Sequence, residues 1–452
     1  MTVQTQLSAK ERQALDQQIN DAANAQRQVT QYDDMTLDII MHEMLDAIES
    51  RADYWAQEER YQSGIGNVHD KKHKLHFVIT RLRQTLTGVK TGGLVGRYDD
   101  MPEYADPVGV IFAISPLTGL IPNALYKATL ALKTRNAIII SAPRGTAALG
   151  KALVDSLQQV LVRHGLPRTL ITLCPPDGRA TTHYMLHHTG IALNLVTGGS
   201  QLVRAAYASG RPTQGVGAGN VPVLVDHTAD PKKVASDILL SKSYDNGILC
   251  GAESNVVVEE SLRKALEAAL MEQGAWLLKG HVLEQALDIL FEPETHNLQK
   301  HLLGQDAPTL ARALGHTSPE EVTMIILTLD GSEPYLDRCC DEKLACIMSL
   351  QSCTAENGIT RCKELIEKSG TGHTAVIHSF QHTVIEAFAR TIPAGRILVN
   401  TPAVQGMSGI TTRSPFSLML GCGTYGGNIT TDAIQWRHLV NLKRVAYGTT
   451  TG

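Results

Sequence analysis

The sequence predicts an α/β protein with parallel sheets, divided into two domains. Short apolar stretches such as residues 108–114 alternate with helical stretches such as 122–133. This alternation is typical of parallel strands joined by right-handed helical crossovers. The length of 452 residues exceeds what one ordinary hydrophobic core supports, so we expect two domains.

The composition excludes several classes of protein. Hydrophobic residues make up 43% and charged residues 19%, which is typical of a folded, soluble chain. The net charge of −4 gives no basic footprint for nucleic acid. No apolar stretch has the length of a membrane span, and the first residues lack the apolar core of a secretory signal. Eight cysteines without scaffold spacing suggest a reduced, cytoplasmic setting and no disulfides.

The first hundred residues predict helices followed by a hairpin. Apolar residues recur at helical spacing across 6–62, and a polar segment at 92–107 suggests an exposed hairpin. The first helix could be a docking peptide for a larger assembly, but an ordinary packing helix is the favoured interpretation. The charge run at 69–74 is interpreted as solvated surface.

Further strands are predicted at 136–141, 170–173 and 191–197, with helices between them. Ligands of such sheets bind at the carboxyl ends of the strands. The last of these strands runs into Thr197, Gly198 and Gly199 before a helix at 201–208, and this turn suits a phosphate-bearing cofactor. Neither strong nucleotide fingerprint occurs there.

The stretch 241–253 carries the candidate nucleophile, Cys250. Asp245, Asn246 and Gly247 predict a turn with left-handed backbone, and a strand is predicted at 255–258. A thiol in such a loop is placed to attack a small electrophile, with a backbone N–H available for an oxyanion. Gly251 is expected to leave room above the sulfur. The alternative is a buried cysteine that acts as a small hydrophobe.

Two other features carry alternatives. A glycine cluster at 215–220 precedes a predicted strand at 221–226, and it is either a plain turn or backbone beside a reacting group. His183, His187 and His188 share helical spacing, but no third ligand follows, so we predict a solvated helix face and no metal site.

A series of short stretches carries a family resemblance. In chain order they are residues 108–116, 132–139, 197–199, 206–212, 215–220, 244–250, 342–344, 372–374, 396–400 and 420–423. Together they resemble the CoA-acylating branch of the aldehyde dehydrogenase superfamily, which includes acetaldehyde and succinate-semialdehyde dehydrogenases. The match extends over about 107 to 430 and is specific only as a set.

The resemblance implies an aldehyde dehydrogenase-like fold with a Rossmann-type cofactor domain, an α/β catalytic domain and a small oligomerisation arm. The expected boundaries are 1–226 for the cofactor domain, with 92–107 in the arm, and 227–404 for the catalytic domain. Residues 405–452 are expected to return to the cofactor domain and form an oligomerisation tail. A homodimer or homotetramer is implied, and a bacterial microcompartment or a partner enzyme stays open.

The implied reaction oxidises a short-chain aldehyde to its acyl-CoA, reversibly, with NAD or NADP and with coenzyme A as co-substrate. Cys250 is implied as the nucleophile, which forms a thioacyl intermediate. His373 lies in a Gly-His-Thr segment near the acyl-transfer site of relatives, where it would position or deprotonate the CoA thiol, or be merely structural. The implied cofactor residues are Ser115, Pro116, Leu117, Thr118, Ser141, Arg144, Thr197, Gly198, Gly199, Val216, Gly217 and Glu342.

Three positions depart from the pattern of acylating relatives, namely Gly119, the segment at Arg144, and Cys346, which stands where Pro is common. A fourth position, Gly215, differs from hydrolytic members only. Gly119 replaces an oxyanion-binding Asn, and Asn123 is the candidate substitute. Arg144 stands in a loop that differs from that of relatives, where it either meets a 2′-phosphate or is solvated, so NAD versus NADP stays open. Gly215 is aligned with the glutamate base of hydrolytic members, and we expect its side-chain position to face Cys250. Its lack of a carboxylate then favours CoA over water.

Two alternatives to the acylating enzyme remain at this point. One is a hydrolytic aldehyde dehydrogenase, and the other is a catalytically weak relative that serves as an assembly subunit. The aldehyde also stays open among acetaldehyde, propionaldehyde, succinic semialdehyde and sulfoacetaldehyde.

Overall fold

A computed structural model describes residues 6–176 and 178–449 of the chain. The chain forms two units. The first comprises Met1–Ser63, Lys71–Val216 and Ile434–Gly452, and the second comprises Gly64–Asp70 and Gly217–Ala433. Each unit is built on a parallel sheet with helices, which confirms the predicted α/β class. No helix of the described part of the chain combines the length and the apolar character that crossing a membrane requires.

Four helices open the chain: α1 Ala9–Val29, α2 Asp34–Glu49, α3 Ala52–Ser63 and α4 Val68–Leu86. Ser8 and Glu11 form a capping box at the start of α1, which satisfies N–H groups that the helix leaves free. Leu15, Ile19 and Val29 of α1 are buried. The helices predicted for 6–62 are therefore present, and α1 packs as an ordinary helix.

The first unit contains a five-stranded parallel sheet in the order β5-β4-β3-β6-β7. Its strands are β3 Val110–Ile114, β4 Ala137–Ser141, β5 Ile171–Leu173, β6 Leu193–Thr197 and β7 Thr213–Val216. The connecting helices are α5 Leu120–Lys133, α6 Ala147–Arg163, α7 Arg179–His187 and α8 Ser200–Tyr207. Successive strands extend the sheet to one side of β3 and then to the other, so β3 and β6 flank a topological switch point.

A separate antiparallel sheet in the first unit consists of β1 Gly93–Tyr98, β2 Met101–Pro107 and β15 Val440–Arg444. Asp99 and Asp100 make the hairpin turn with left-handed backbone (φ 48° and 63°). The exposed hairpin predicted for this region is therefore present. Half of the side-chain surface of Leu94 is exposed on it. The role of this sheet as an oligomerisation arm stays a prediction.

The second unit contains a seven-stranded parallel sheet in the order β10-β11-β12-β9-β8-β13-β14. Its strands are β8 Val221–Val225, β9 Glu253–Glu259, β10 Ala275–Leu278, β11 Met324–Leu329, β12 Ile347–Cys353, β13 Gly372–His378 and β14 Ala394–Val399. The helices are α9 Pro231–Lys242, α10 Glu260–Glu272, α11 Gly280–Leu290, α12 Ala307–Ala313, α13 Gly358–Lys368, α14 His382–Thr391 and α15 Ala403–Met407.

The division of the chain differs from the predicted boundaries at three places. The first unit ends at 216 rather than 226, because β8 hydrogen-bonds between β9 and β13 in the second sheet. The second unit extends to 433 rather than 404. Residues 420–433 fold back on themselves there, with the Gly421 N–H donating to the Asp432 carbonyl (2.9 Å). Gly64–Asp70, predicted to lie in the cofactor domain, also belongs to the second unit.

Candidate active site

The loop that carries Cys250 begins with a strained turn. Asp245, Asn246 and Gly247 have φ values of 47°, 56° and 73°, so three successive residues adopt the left-handed conformation that the sequence predicted. The Oδ2 atom of Asp70 accepts a hydrogen bond from the backbone N–H of Asp245 (2.8 Å). The charge run that was interpreted as solvated surface therefore contributes a residue that supports the cysteine loop.

Cys250 lies at the amino edge of the second sheet. It precedes β9 by three residues, and His373 is the second residue of β13. The His373 Nε2 atom is 3.2 Å from the Cys250 Sγ atom, so the two side chains are in hydrogen-bond contact. Cys250 is partly exposed, whereas the seven other cysteines are buried. Cys250 is thus the most accessible of the eight cysteines.

Both members of this pair are neutral at rest. Burial, followed by the nearby Glu342 and Cys422, raises the pKa of Cys250 to about 12, although the Arg396 cation acts in the opposite direction. Burial, followed by the Arg396 charge, lowers the pKa of His373 to about 3. At neutral pH the resting site therefore holds a thiol and an uncharged imidazole.

Glycines let the backbone close tightly around the cysteine. A Cβ atom on Gly219 would lie 1.8 Å from the Cys250 carbonyl oxygen, so only glycine fits there. A Cβ atom on Gly251 would lie 1.9 Å from the Met407 Sδ atom. The expectation that Gly251 leaves open room above the sulfur is therefore wrong, because Met407 fills the space that its side chain would take.

Glu342 also belongs to this edge of the sheet. Its Oε1 atom accepts a hydrogen bond from the Gly219 N–H (2.9 Å), and burial raises its pKa to about 7. Because Glu342 raises the pKa of Cys250, it also faces the cysteine loop. Its predicted role as a partner of the nicotinamide ribose stays a prediction.

Two residues of the site received no role from the sequence, namely Thr374 and Arg396. The Oγ1 atom of Thr374 lies 3.0 Å from the Nδ1 atom of His373, and the Nε–H of Arg396 donates to the same oxygen (3.4 Å). The two residues are direct neighbours in the β13–β14 register. The stretches 372–374 and 396–400 were noted only as family matches, since a sequence does not give strand register.

The candidate cofactor residues of the first unit converge on the carboxyl edge of its sheet. They follow β3, β4, β6 and β7 directly or end these strands: Ser115, Pro116, Leu117, Thr118, Ser141, Arg144, Thr197, Gly198, Gly199 and Val216. Gly217 follows next in the chain but is assigned to the second unit, where its N–H donates to Cys422.

Two buried polar side chains near the switch point of the first sheet, Ser115 and Lys127, are suited to contact a ligand. The Ser115 Oγ atom is buried and has no hydrogen-bond partner among the described residues. The buried Lys127 donates from Nζ to the Ile114 carbonyl (2.6 Å) and to Thr197 Oγ1 (3.0 Å). Burial lowers the pKa of Lys127 to about 7. An orphaned hydroxyl beside a desolvated lysine at this edge fits a polar ligand.

The starts of α5, α6 and α8 at this edge differ. The Ile121 N–H of α5 donates to Glu59 Oε1 (2.8 Å), and the Leu149 N–H of α6 donates to Gln62 Oε1 (3.1 Å). Helix α8 follows Gly199, which supplies no side-chain cap, and a Cβ atom at Gly199 would meet nothing within 4 Å. The Gly198-Gly199 turn therefore offers helix N–H groups beside open space, which fits the diphosphate of a dinucleotide.

Comparison with known proteins assigns the family. The model of the aldehyde dehydrogenase family matches residues 1–412. The chain belongs to the aldehyde dehydrogenase family. It is 35% identical over 397 residues to the bifunctional aldehyde-alcohol dehydrogenase AdhE of Escherichia coli K12, which covers 85% of this chain and 44% of that protein. The chain thus spans less than half the length of that relative.

Relatives of similar length place this aldehyde dehydrogenase in the acylating branch. The succinate-semialdehyde dehydrogenase (acetylating) of Clostridium kluyveri is 28% identical over 433 residues, with 95% of this chain and 94% of that protein covered. The crystal structure of an acetylating aldehyde dehydrogenase from Geobacillus thermoglucosidasius is 32% identical, has a TM-score of 0.91, and covers 98% of each chain. Both the family and the branch indicated by the sequence motifs are therefore confirmed.

The structure corrects one argument about this aldehyde dehydrogenase. A Cβ atom on Gly215 would lie 2.8 Å from the Tyr207 ring and 2.9 Å from Val203 Cγ1, both on α8. The prediction that a carboxylate at 215 would face Cys250 is wrong, because side chains of β7 alternate and this position points into the packing of α8. Gly215 therefore gives no support for CoA over water. That support now comes from the acylating relatives.

Asn123, the candidate oxyanion donor, lies on α5. Its Nδ2 group donates to the Gly119 carbonyl (2.9 Å), and its buried Oδ1 atom has no partner among the described residues. One amide hydrogen is thus engaged by the very residue that replaces the family's asparagine. The predicted catalytic role of Asn123 stays a prediction.

Proposed function

We propose that the chain catalyses the NAD(P)-dependent oxidation of a short-chain aldehyde to its acyl-CoA, and the reverse reduction. The observation that carries the proposal is the contact between Cys250 Sγ and His373 Nε2 (3.2 Å), in a loop with the one cysteine that is not buried. The acylating relatives favour coenzyme A over water as the acceptor.

Cys250 supplies the covalent chemistry. Its thiolate forms a bond to the aldehyde carbon, and the carbonyl oxygen becomes an alkoxide. A dinucleotide held by the first unit would supply the hydride acceptor, and loss of a hydride from that carbon would leave a thioester on Cys250. The thiol of coenzyme A then attacks the thioester carbon, the bond to the Cys250 sulfur breaks, and acyl-CoA leaves. Aldehyde, CoA and NAD(P)⁺ are thus converted to acyl-CoA, NAD(P)H and one proton.

The first unit is proposed to bind the dinucleotide at the carboxyl edge of its sheet. Gly199 and the start of α8 would hold the diphosphate, since no side chain caps the N–H groups there, and Gly198 would shape the turn, because its own N–H donates to the Val216 carbonyl (3.3 Å). Ser115 would donate to or accept from the ligand through its orphaned hydroxyl. The exposed Arg144 would meet a 2′-phosphate. Glu342 would hold the nicotinamide ribose.

His373 is proposed to serve the acyl transfer to coenzyme A, either by orienting the incoming thiol or by taking its proton. A pKa of about 3 makes this imidazole a poor proton acceptor for a thiol. The orienting role is therefore favoured. Single-turnover kinetics of His373→Ala would contradict the proposal if hydride transfer slowed while thiolysis kept its rate.

An aldehyde panel tests the proposed reaction. Acetaldehyde, propionaldehyde, succinic semialdehyde and sulfoacetaldehyde are each mixed with NAD⁺ or NADP⁺, with and without CoA, and NAD(P)H and acyl-CoA are measured. We expect CoA-dependent NAD(P)H formation with at least one aldehyde. Turnover that ignores CoA and yields free acid would instead indicate a hydrolytic enzyme. No turnover with any combination would overturn the proposal and favour an assembly subunit.

The association state is proposed to be a homodimer or homotetramer that uses the sheet of β1, β2 and β15. The exposed Leu94 and Tyr98 of this sheet supply apolar surface for such a contact. Light scattering of the full chain and of a Leu94→Lys, Tyr98→Lys variant tests this. Location in the cytoplasm, or inside a bacterial microcompartment, stays part of the proposal.

A further inference from the structure

Arg396 is a cation without an anionic partner beside the proposed nucleophile. Its NH2 group donates to the carbonyl oxygens of His373 and Gly421 (2.8 Å each), and NH1 donates to that of Thr431 (3.1 Å). Its Nε–H donates to Thr374 Oγ1. Among the described residues no carboxylate pairs with it. The full positive charge is therefore directed at the backbone and hydroxyl groups around His373.

The bond from Arg396 decides how the Thr374 hydroxyl is oriented. A guanidinium N–H can only donate, so Thr374 Oγ1 accepts from it. Thr374 is buried, and the other described partner of its hydroxyl is His373 Nδ1 at 3.0 Å. The single hydroxyl hydrogen is satisfied only if it points to Nδ1. The Nδ1 atom is then an acceptor, and a neutral imidazole that accepts at Nδ1 carries its hydrogen on Nε2.

We propose that Thr374 and Arg396 are positioning residues that hold His373 in its Nε2–H form, so that His373 donates a hydrogen bond to the Cys250 sulfur instead of taking its proton. The inference rests on the proposed role of Cys250 as nucleophile. Cys250 is partly exposed as a residue, so its thiol can lose its proton to a base in solvent, while His373 keeps its own. The N–H group 3.2 Å away then stabilises the thiolate.

The charges that face the sulfur fit this arrangement. Glu342 and Cys422 disfavour the thiolate, and Arg396 favours it. A proton-accepting His373 would add a second cation next to Arg396, which the low pKa of His373 opposes. A donating, uncharged imidazole stabilises the thiolate without that cost.

Alkylation of the thiol tests the proposal without aldehyde, cofactor or coenzyme. The rate at which iodoacetamide modifies Cys250 is followed from pH 6 to 10 by mass spectrometry of its peptide, for the wild type, Thr374→Val and Thr374→Ser. We expect Thr374→Val to lower the rate about tenfold at every pH in this range, which lies below the pKa of the Cys250 thiol, because the imidazole loses its orientation. Thr374→Ser keeps the hydroxyl and should restore the wild-type profile.

The matched control is Thr129→Val, a buried threonine of the first unit whose hydroxyl has no partner among the described residues. It should leave the alkylation profile unchanged. An unchanged profile in Thr374→Val, or a Thr374→Ser profile that resembles that of Thr374→Val, would overturn the proposal. Because these measurements need no turnover, they remain decisive even if the proposed aldehyde reaction fails.

A second measurement needs no change at Thr374. The ¹⁵N spectra of histidine-labelled wild type and His373→Gln identify the two ring nitrogens of His373 by difference. At pH 7 we expect a hydrogen on Nε2 and an unprotonated Nδ1 that accepts the hydrogen bond from Thr374. A hydrogen on Nδ1 would overturn the proposal, whatever the variants show.

Discussion

The candidate functional residues lie at the carboxyl edge of the first sheet and at the amino edge of the second sheet. In the first unit, the candidate cofactor residues follow the carboxyl ends of β3, β4, β6 and β7, and helix α8 begins at this edge without a side-chain cap. In the second unit, Cys250 and His373 lie at the amino ends of β9 and β13. The general rule for parallel sheets therefore locates a site for an anionic ligand but does not locate the nucleophile.

The two edges also differ in how their polar groups are satisfied. The first edge keeps an orphaned Ser115 hydroxyl and the uncapped start of α8. At the second edge both ring nitrogens of His373 and the donors of Arg396 are engaged within the protein. The first edge is thus completed by a ligand, whereas the second is organised before any ligand arrives.

The largest expected effect is at the second edge. Cys250→Ala should lower CoA-dependent turnover by a factor on the order of 10⁴ or more, because the Cys250 thiolate is the only nucleophile in the proposed mechanism. Initial rates of CoA-dependent NAD(P)H formation measure the turnover, and circular dichroism checks that the variant is folded. The control is Cys174→Ala, a buried cysteine of the first unit that should keep its activity. Turnover near the wild-type rate in Cys250→Ala would contradict the assignment.

A pair of glycine variants compares the edges directly. Gly219→Ala should destabilise the protein by about 3 kcal/mol, because its Cβ atom would overlap the Cys250 carbonyl. Gly199→Ala should leave stability unchanged and raise the KM for NAD(P)⁺ about fivefold, since its Cβ atom enters open space that the diphosphate of the proposed cofactor would occupy. Thermal unfolding and initial rates decide. An equal loss of stability in both variants would contradict the view that the glycine at the second edge is tightly packed and the one at the first edge is not.

Two buried ionisable groups, one in each unit, give contributions to stability with opposite pH dependence. The folded pKa of Lys127 is lowered to about 7, so its contribution to stability increases as pH rises from about 7 to 10. The folded pKa of Glu253 is raised to about 7, so its contribution falls as pH rises from about 4.5 to 7. Each slope is at most about 1.4 kcal/mol per pH unit.

The free energy of unfolding, measured with denaturant at a series of pH values, tests the contributions of Lys127 and Glu253. Lys127→Met should weaken the increase in the free energy of unfolding above pH 7 and leave its pH dependence below pH 7 unchanged. Glu253→Gln should weaken the decrease between about pH 4.5 and 7 and leave the range above pH 7 unchanged. If both variants changed the pH dependence of the free energy of unfolding in the same way, the assignment of the two pH ranges to residues of separate units would be wrong.

The smallest expected effect concerns cofactor choice at the first edge. Arg144→Ala should raise the KM for NADP⁺ about fivefold and leave that for NAD⁺ unchanged, because an exposed arginine contributes about 1 kcal/mol to a phosphate contact. The matched control is Arg168→Ala, an exposed arginine before β5 at the other edge of the sheet. A similar change for both cofactors would show that Arg144 does not read the 2′-phosphate.

Local features were predictable from the sequence. The left-handed turn at Asp245, Asn246 and Gly247, the strand at 110–114 and the glycines before α8 all follow from short-range backbone preferences. The carboxyl-edge placement of the cofactor residues follows from chain topology, which the alternation of strands and helices indicates.

Features that depend on register were not predictable. The direction of Gly215 toward Tyr207 depends on which face of β7 each residue occupies, and an error of one residue reverses it. The Thr374–Arg396 neighbours require the pairing of β13 with β14. The boundary at 216 requires knowing that β8 pairs with β9 rather than with β7, which no local pattern encodes.

The contact between Asp70 and Asp245 has a consequence for how the reactive loop forms during folding. These residues are 175 positions apart in sequence, and residues 64–70 lie far upstream of the rest of the second unit. Closing so long a loop costs conformational entropy that a purely local turn would not cost. The geometry of the turn before Cys250 therefore depends on residues 64–70 as well as on its own sequence, and a change in this distant segment can disturb the nucleophile without touching its loop.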